Sequence, residues 1–164
     1  MVFLIGMPAA GKTYWGERLT EEYGWEFVDL DEFIAEKEKA SIQALFAMYG
    51  EAGFREREHK GLKQVIYKHS LPTVVACGGG TPCFFDNLAL MKAAGTVVYI
   101  HVEVTTLVER LAASTFARPL LRGRGDMDAY LNELLTKRRS FYEQAHFTFS
   151  GEEISIDNFT KIMK

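Results

Sequence analysis

Eight consecutive residues, Gly6-Met7-Pro8-Ala9-Ala10-Gly11-Lys12-Thr13, carry the spacing G-x-x-x-x-G-K-[ST]. The motif alone occurs by chance. Here it follows the apolar run Val2 to Ile5 and opens a stretch of helical composition, which is the context it needs. In that context backbone N–H groups from Ala9 to Tyr14 turn inward on phosphate oxygens, beginning beyond the Gly6 turn. The helix N-terminus adds positive potential. Lys12 then reaches the β- and γ-phosphates, and the Thr13 hydroxyl binds Mg²⁺. Ala9 stands where many such loops carry a further glycine. Lys12 is expected to be solvated while no nucleotide is bound. The competing reading is an ordinary strand-to-helix turn, and the context favours a nucleotide.

Other residues suit a phosphoryl acceptor. Asp29 and Asp31 lie two apart at a strand end, so in extended chain both carboxylates share a face. One would help hold Mg²⁺ through water, and the other would accept a hydrogen bond from a substrate hydroxyl. The bland alternative makes Asp31 a helix N-cap. Arg55 and Glu58, three apart on a helix, could grip and orient a carboxylate. Taken alone they read as a solvated charged face. Gly78-Gly79-Gly80 follows a β-branched run and lets the backbone approach a ligand closely. Arg118, with Arg122 and Arg124, supplies cations that could arrive when a site closes. Lys137-Arg138-Arg139 sits late in a helix, where basic residues are favoured by the macrodipole alone.

These residues need a frame. Strands are expected over 2–5, 26–28, 73–76, 96–102 and 146–149. Helices are expected over 12–23, 31–39, 41–49, 51–69, 87–94, 105–113, 127–145 and 157–164, with a break near Gly50 and a loop over 114–126. Short buried strands alternating with helices imply an α/β fold, a parallel sheet covered on both faces.

Composition sets outer limits. The chain has 164 residues, 48% hydrophobic and 25% charged, which fits one globular domain with its own core. The net charge of −3 argues against a nucleic-acid partner held by bulk electrostatics. No apolar run approaches a membrane span or a signal peptide, so no membrane association is expected. Cys77 and Cys83 read as free cytosolic thiols.

Taken together, these motifs resemble the shikimate kinase family, small phosphate-loop kinases of the nucleoside-monophosphate-kinase type. The resemblance rests on Gly6 to Thr13, Asp29-Leu30-Asp31, Phe54-Arg55 with Glu58, Gly78-Gly79-Gly80, Arg118-Pro119-Leu120-Leu121, and Arg138 with Phe141-Tyr142. It implies a three-layer α/β/α fold with a five-stranded parallel sheet in the order 2-3-1-4-5. Residues 1–164 would be one domain, with a substrate-binding segment around 32–60 and a lid around 114–126. The implied activity is transfer of the ATP γ-phosphoryl group to the 3-hydroxyl of shikimate, in aromatic amino acid biosynthesis. By position, Asp31, Arg55, Gly79 and Arg138 would contact shikimate, and Thr13 and Asp29 would hold Mg²⁺. Lys12, Asp31 and Arg118 would carry the catalytic roles. Gly6, Ala9, Ala10, Gly11, Lys12, Thr13, Tyr14 and Arg118 would meet ATP. A monomeric, cytoplasmic enzyme is expected. From Arg110 to Arg118 the chain runs one residue longer than the usual family spacing. The competing functions are another small-molecule kinase of the same fold, such as a gluconate kinase, or a catalytically silent nucleotide-binding module.

Overall fold

A computed structural model describes residues 1–68, 72–114, 126–151 and 153–163. The elements alternate as expected: β1 Val2–Ile5, α1 Lys12–Tyr23, β2 Glu26–Asp29, α2 Leu30–Glu38, α3 Ile42–Lys68 and β3 Thr73–Ala76. There follow α4 Asn87–Ala94, β4 Thr96–His101, α5 Val104–Ala113, α6 Met127–Tyr142, β5 Phe147–Ser150 and the short α7 Ile156–Thr160. The described strands form one parallel sheet in the order β2-β3-β1-β4-β5. This is the order that the resemblance implied.

Position in the sheet explains strand composition. The inner strands β1 and β3 are buried at every residue, so they show continuous apolar or β-branched runs instead of alternation. The edge strands β2 and β5 keep polar and exposed residues. Helices pack over the sheet, and the core includes Phe3, Leu4, Leu19, Leu62, Val98 and Tyr142. The closing helix α7 is tied in by Phe159, which is fully buried and stacks on Trp15. Burying such a ring stabilises by roughly 1.5–3 kcal/mol.

Several boundaries differ from expectation, each for a local reason. Asp29 caps α2, accepting from the N–H groups of Asp31 and Glu32, so the helix starts at Leu30. The N-cap is therefore Asp29 and not Asp31. Helix α6 ends at Tyr142 because the chain tightens into i→i+3 bonds, Gln144 N–H to Phe141 and Ala145 N–H to Tyr142. The expected break near Gly50 is present, with φ 65° and ψ −176° there, within an otherwise continuous helical path. A 3₁₀ turn, Thr81–Cys83, follows the glycine run where the sequence predicts no helix. Strand β4 stops one residue early, at His101. The region 115–125, with Arg118, Arg122, Arg124 and most of the expected lid, lies outside the described residues.

Parallel strands have one consequence that matters most. The carboxyl ends of β1, β2 and β3 lie side by side, with Leu4 opposite Ala76 and Ala76 opposite Asp29. The segments that leave these ends are Gly6–Thr13, Asp29–Asp31 and Cys77–Gly80. Open α/β sheets bind ligands at this edge.

Candidate active site

The chain leaves β1 through Gly6, whose φ is 144°. A Cβ there would stand 2.6 Å from the carbonyl oxygen of Ile100, so only glycine fits. The loop then turns through Ala9 at φ 64° and Gly11 at φ 94° into α1. Ala9 adopts the left-handed conformation that glycine would accept without strain. The Ala10 N–H donates to Met7 O within the loop at 3.2 Å, so this amide has a partner inside the turn.

Lys12 is not solvated as the sequence suggested. Its Nζ donates to Gly6 O at 3.0 Å and Met7 O at 2.9 Å. Burial lowers its pKa to about 8, with Asp31 opposing the shift. The Thr13 hydroxyl donates to Asp29 Oδ2 at 2.9 Å, while the Asp29 Oδ1 caps α2. Tyr14 is exposed at the start of α1. Asp31, in the first turn of α2, has its pKa raised to about 6. Burial is the main cause, followed by the charges of Asp29 and Glu58.

Facing this loop is a set of side chains with different character. Arg55 and Glu58 are buried, at 7% and 0% exposure. This overturns their reading as a solvated face. Arg55 Nη1 donates to Glu58 Oε2 at 2.8 Å, and Glu58 Oε1 accepts from the Thr81 hydroxyl at 2.7 Å. Thr81 O accepts from Asn87 Nδ2 at 2.8 Å, and Asn87 Oδ1 meets His59 Nδ1 at 2.7 Å. The Arg55 guanidinium also lies 4.3 Å from the Phe84 ring centroid. Its Nε is the one buried side-chain polar atom among the described residues with no protein partner.

The three glycines sit among these groups for want of space. A Cβ on Gly78 would meet Asp31 Oδ1 and Glu58 Oε1, each at 3.1 Å. On Gly79 it would stand 2.8 Å from Arg138 Nη1, and on Gly80 2.4 Å from Arg55 Nη2. Space is tightest at Gly80, where the buried guanidinium is held by Glu58, while at Gly78 and Gly79 a Cβ would press on the ends of side chains.

Lys12, Thr13, Asp29, Asp31, Arg55, Gly79 and Arg138 line one cleft of about 360 Å³, together with Ile42, Phe46, Phe54 and Glu58. A larger groove of about 1040 Å³, lined by Phe33, Lys63, Tyr67 and neighbours, gathers none of the expected site residues. Chemistry, not size, selects the smaller cleft. Sequence reasoning missed Arg110, whose Nη1 donates to Ala9 O at 3.1 Å and Ala10 O at 3.3 Å. The sequence marked it only as a spacing reference.

The shikimate kinase family model matches residues 8–164. The chain is 40% identical to the shikimate kinase of Parabacteroides distasonis over 155 residues, which cover 93% of this chain and 88% of that one. The crystal structure of shikimate kinase from Bacteroides thetaiotaomicron superimposes with a TM-score of 0.88 at 34% identity, covering 99% of this chain and 90% of that chain. Shikimate kinase from Acinetobacter baumannii in complex with shikimate gives 0.82 at 35% identity, covering 90% of this chain and 81% of that chain.

Proposed function

The chain belongs to the shikimate kinase family, and from that premise we propose that it transfers the γ-phosphoryl group of ATP to the 3-hydroxyl of shikimate in this cleft. The observation that carries the reading is the pairing of two arginines, Arg55 and Arg138, with Asp31 beside the phosphate loop. The cleft thereby offers separate partners to a carboxylate and to a hydroxyl of one small ring. The unpartnered Arg55 Nε gives a carboxylate oxygen a buried donor. Ile42, Phe46 and Phe54, from the segment 32–60, give the ring an apolar wall.

In this reading the phosphates lie along Gly6–Thr13. Lys12 exchanges the carbonyls of Gly6 and Met7 for β- and γ-oxygens, where charge develops during transfer. Asp31 accepts the hydrogen bond of the attacking hydroxyl and takes its proton. A loose transition state needs little base strength, so positioning carries most of the rate. Arg110, already against the loop, is placed for the nucleotide.

Mg²⁺ fits the donor set. Thr13 Oγ1 and Asp29 Oδ2 lie 2.9 Å apart, a hydroxyl and a carboxylate of the kind that hold this ion together with phosphates and water. When bound, the ion neutralises charge on the transferring group. Cys77 and Cys83 are free, which supports a reducing, cytosolic setting. The reading includes a monomer. No helix among the described residues is long and apolar enough to cross a membrane.

Coupled ADP release with shikimate, with gluconate and with no acceptor tests the assignment. Turnover dependent on shikimate is expected. Turnover with gluconate alone would move the chain to another acceptor class, and release without acceptor would deny an acceptor role to the cleft.

A further inference from the structure

Tyr142 ends α6, and no step above uses it. Its side chain is fully buried, and its ring stacks on Tyr99 with centroids 4.9 Å apart. Its hydroxyl donates to Gly79 O at 2.6 Å and touches Met7 Sδ at 3.9 Å. One helical turn earlier, on the same face of α6, Arg138 crosses over Gly79. Pro8 Cδ bounds the same glycine, 3.1 Å from where its Cβ would stand. Gly79 is thus held between α6 and the phosphate loop.

Three glycines in succession have the greatest backbone freedom a chain can have. Turn bonds from the Thr81 N–H to Gly78 O at 3.0 Å and from the Cys83 N–H to Gly80 O at 2.9 Å hold the two ends of the run, and the middle carbonyl, Gly79 O, is held by Tyr142. Peptide planarity makes one contact effective, because pinning the Gly79 carbonyl also fixes the N–H of Gly80 across the same plane.

We propose that Tyr142 is a positioning residue for the acceptor: its hydroxyl holds the Gly78-Gly79-Gly80 backbone against α6, so that Gly79 and Arg138 meet shikimate at one set separation. The proposal rests on the reading of the cleft as the shikimate site. Burial pushes the Tyr142 phenol well above its ordinary pKa, so the hydroxyl remains a donor throughout the neutral range. The ring serves packing, and the hydroxyl serves Gly79 and faces Arg138, so ring and hydroxyl separate by substitution.

Tyr142→Phe keeps the stack on Tyr99 and removes the hydroxyl, with both its donation to Gly79 O and its interaction with Arg138. Steady-state kinetics on both substrates, with thermal unfolding in parallel, provide the test. The KM for shikimate should rise about tenfold, while kcat and the KM for ATP stay within about twofold. Tyr99→Phe, which removes a hydroxyl from the stacked neighbour, should leave all three constants unchanged. A lower folded fraction would reduce kcat and leave KM alone, so loss of stability cannot imitate the expected result. If shikimate KM is unchanged in Tyr142→Phe, or if both KM values rise equally, the positioning role is overturned. A wild-type protein that phosphorylates no shikimate overturns the functional reading instead, and the proposal falls with it.

Discussion

The two sides of the cleft hold their cations in opposite ways. The phosphate loop satisfies Lys12 and Arg110 with its own backbone carbonyls, at Gly6, Met7, Ala9 and Ala10. The acceptor side pairs Arg55 with the buried carboxylate of Glu58, and Glu58 with Thr81. Carbonyl partners are given up easily, because water or phosphate replaces the cation without leaving a charge unpaired. A buried carboxylate cannot be given up so cheaply. The donor side is therefore built to exchange partners, and the acceptor side is built to stay as it is.

Lys12→Ala should show the largest effect on turnover and almost none on the fold. Removing one donor to developing charge typically costs about 10²–10³ in kcat. Stability should hold, because a lysine whose pKa falls from 10.5 to about 8 is charged at a cost in the native state. Its folded pKa is depressed, so its favourable contribution exists above 10.5 and is lost as pH falls through about 8. At pH 7 the alanine variant should melt at or above the wild-type temperature. A variant that melts far lower would mean the loop, too, depends on its cation.

Glu58→Gln should do the reverse. It leaves the Arg55 guanidinium buried without its charge partner, and breaking such a pair typically costs roughly 3–5 kcal/mol. Denaturant unfolding should show a loss of about that size, and shikimate affinity should fall with it. Unchanged stability would mean Arg55 relaxes toward Glu51, its second partner at 3.4 Å, and would remove the contrast between the two sides.

The contrast also explains what the sequence could show. The phosphate loop is eight contiguous residues whose spacing dictates its own geometry, so it was legible from the start. The acceptor side is assembled from α2, α3, the turn after β3 and α6. Arg55 and Glu58 looked solvated because a helical face carries no sign of what covers it. Their cover is Gly80, Phe84 and Thr81, far away in the chain. Asp29 and Asp31 reached the right crevice by a different route than expected. They share it through a cap and a helical turn and not through one face of an extended strand. Arg110 escaped notice because its partners are backbone carbonyls, which no motif records.

Asp31→Asn should bring a smaller, pH-dependent gain. The wild-type carboxyl has its pKa raised from 3.8 to about 6 by burial and by the neighbouring Asp29 and Glu58. A raised folded pKa means its stabilising contribution is complete below about 4 and is lost as pH rises through about 6. The amide variant is exempt from this loss. Its stability relative to wild type should therefore climb between pH 4.5 and pH 7.5, by an amount on the order of 2 kcal/mol. Thermal scans across that window check the sign. A flat difference would mean that Lys12 and Arg55 already offset the charge of Asp31.

The smallest effect is expected at Ala9, and it tests whether the loop stores strain. Its φ of 64° is left-handed, which costs a residue with a Cβ roughly 1–2 kcal/mol. Glycine would remove that cost. Against this, glycine adds roughly 0.5–1 kcal/mol of unfolded-state entropy, and the lost methyl gives up a few tenths more of burial. The balance is a gain of about 0.5 kcal/mol for Ala9→Gly, or about 1–2 °C in Tm for a chain of this size. The ATP KM should move less than twofold, because backbone N–H groups and Lys12 hold the phosphates and neither changes chemically. A Tm that falls instead would show that Ala9 is held in place by packing against the core, with little strain to release. A Tm that rises while ATP binding weakens markedly would be more informative. It would show that the alanine holds the loop near its binding shape, so that the donor side is preorganised after all and differs from the acceptor side only in the partners it uses.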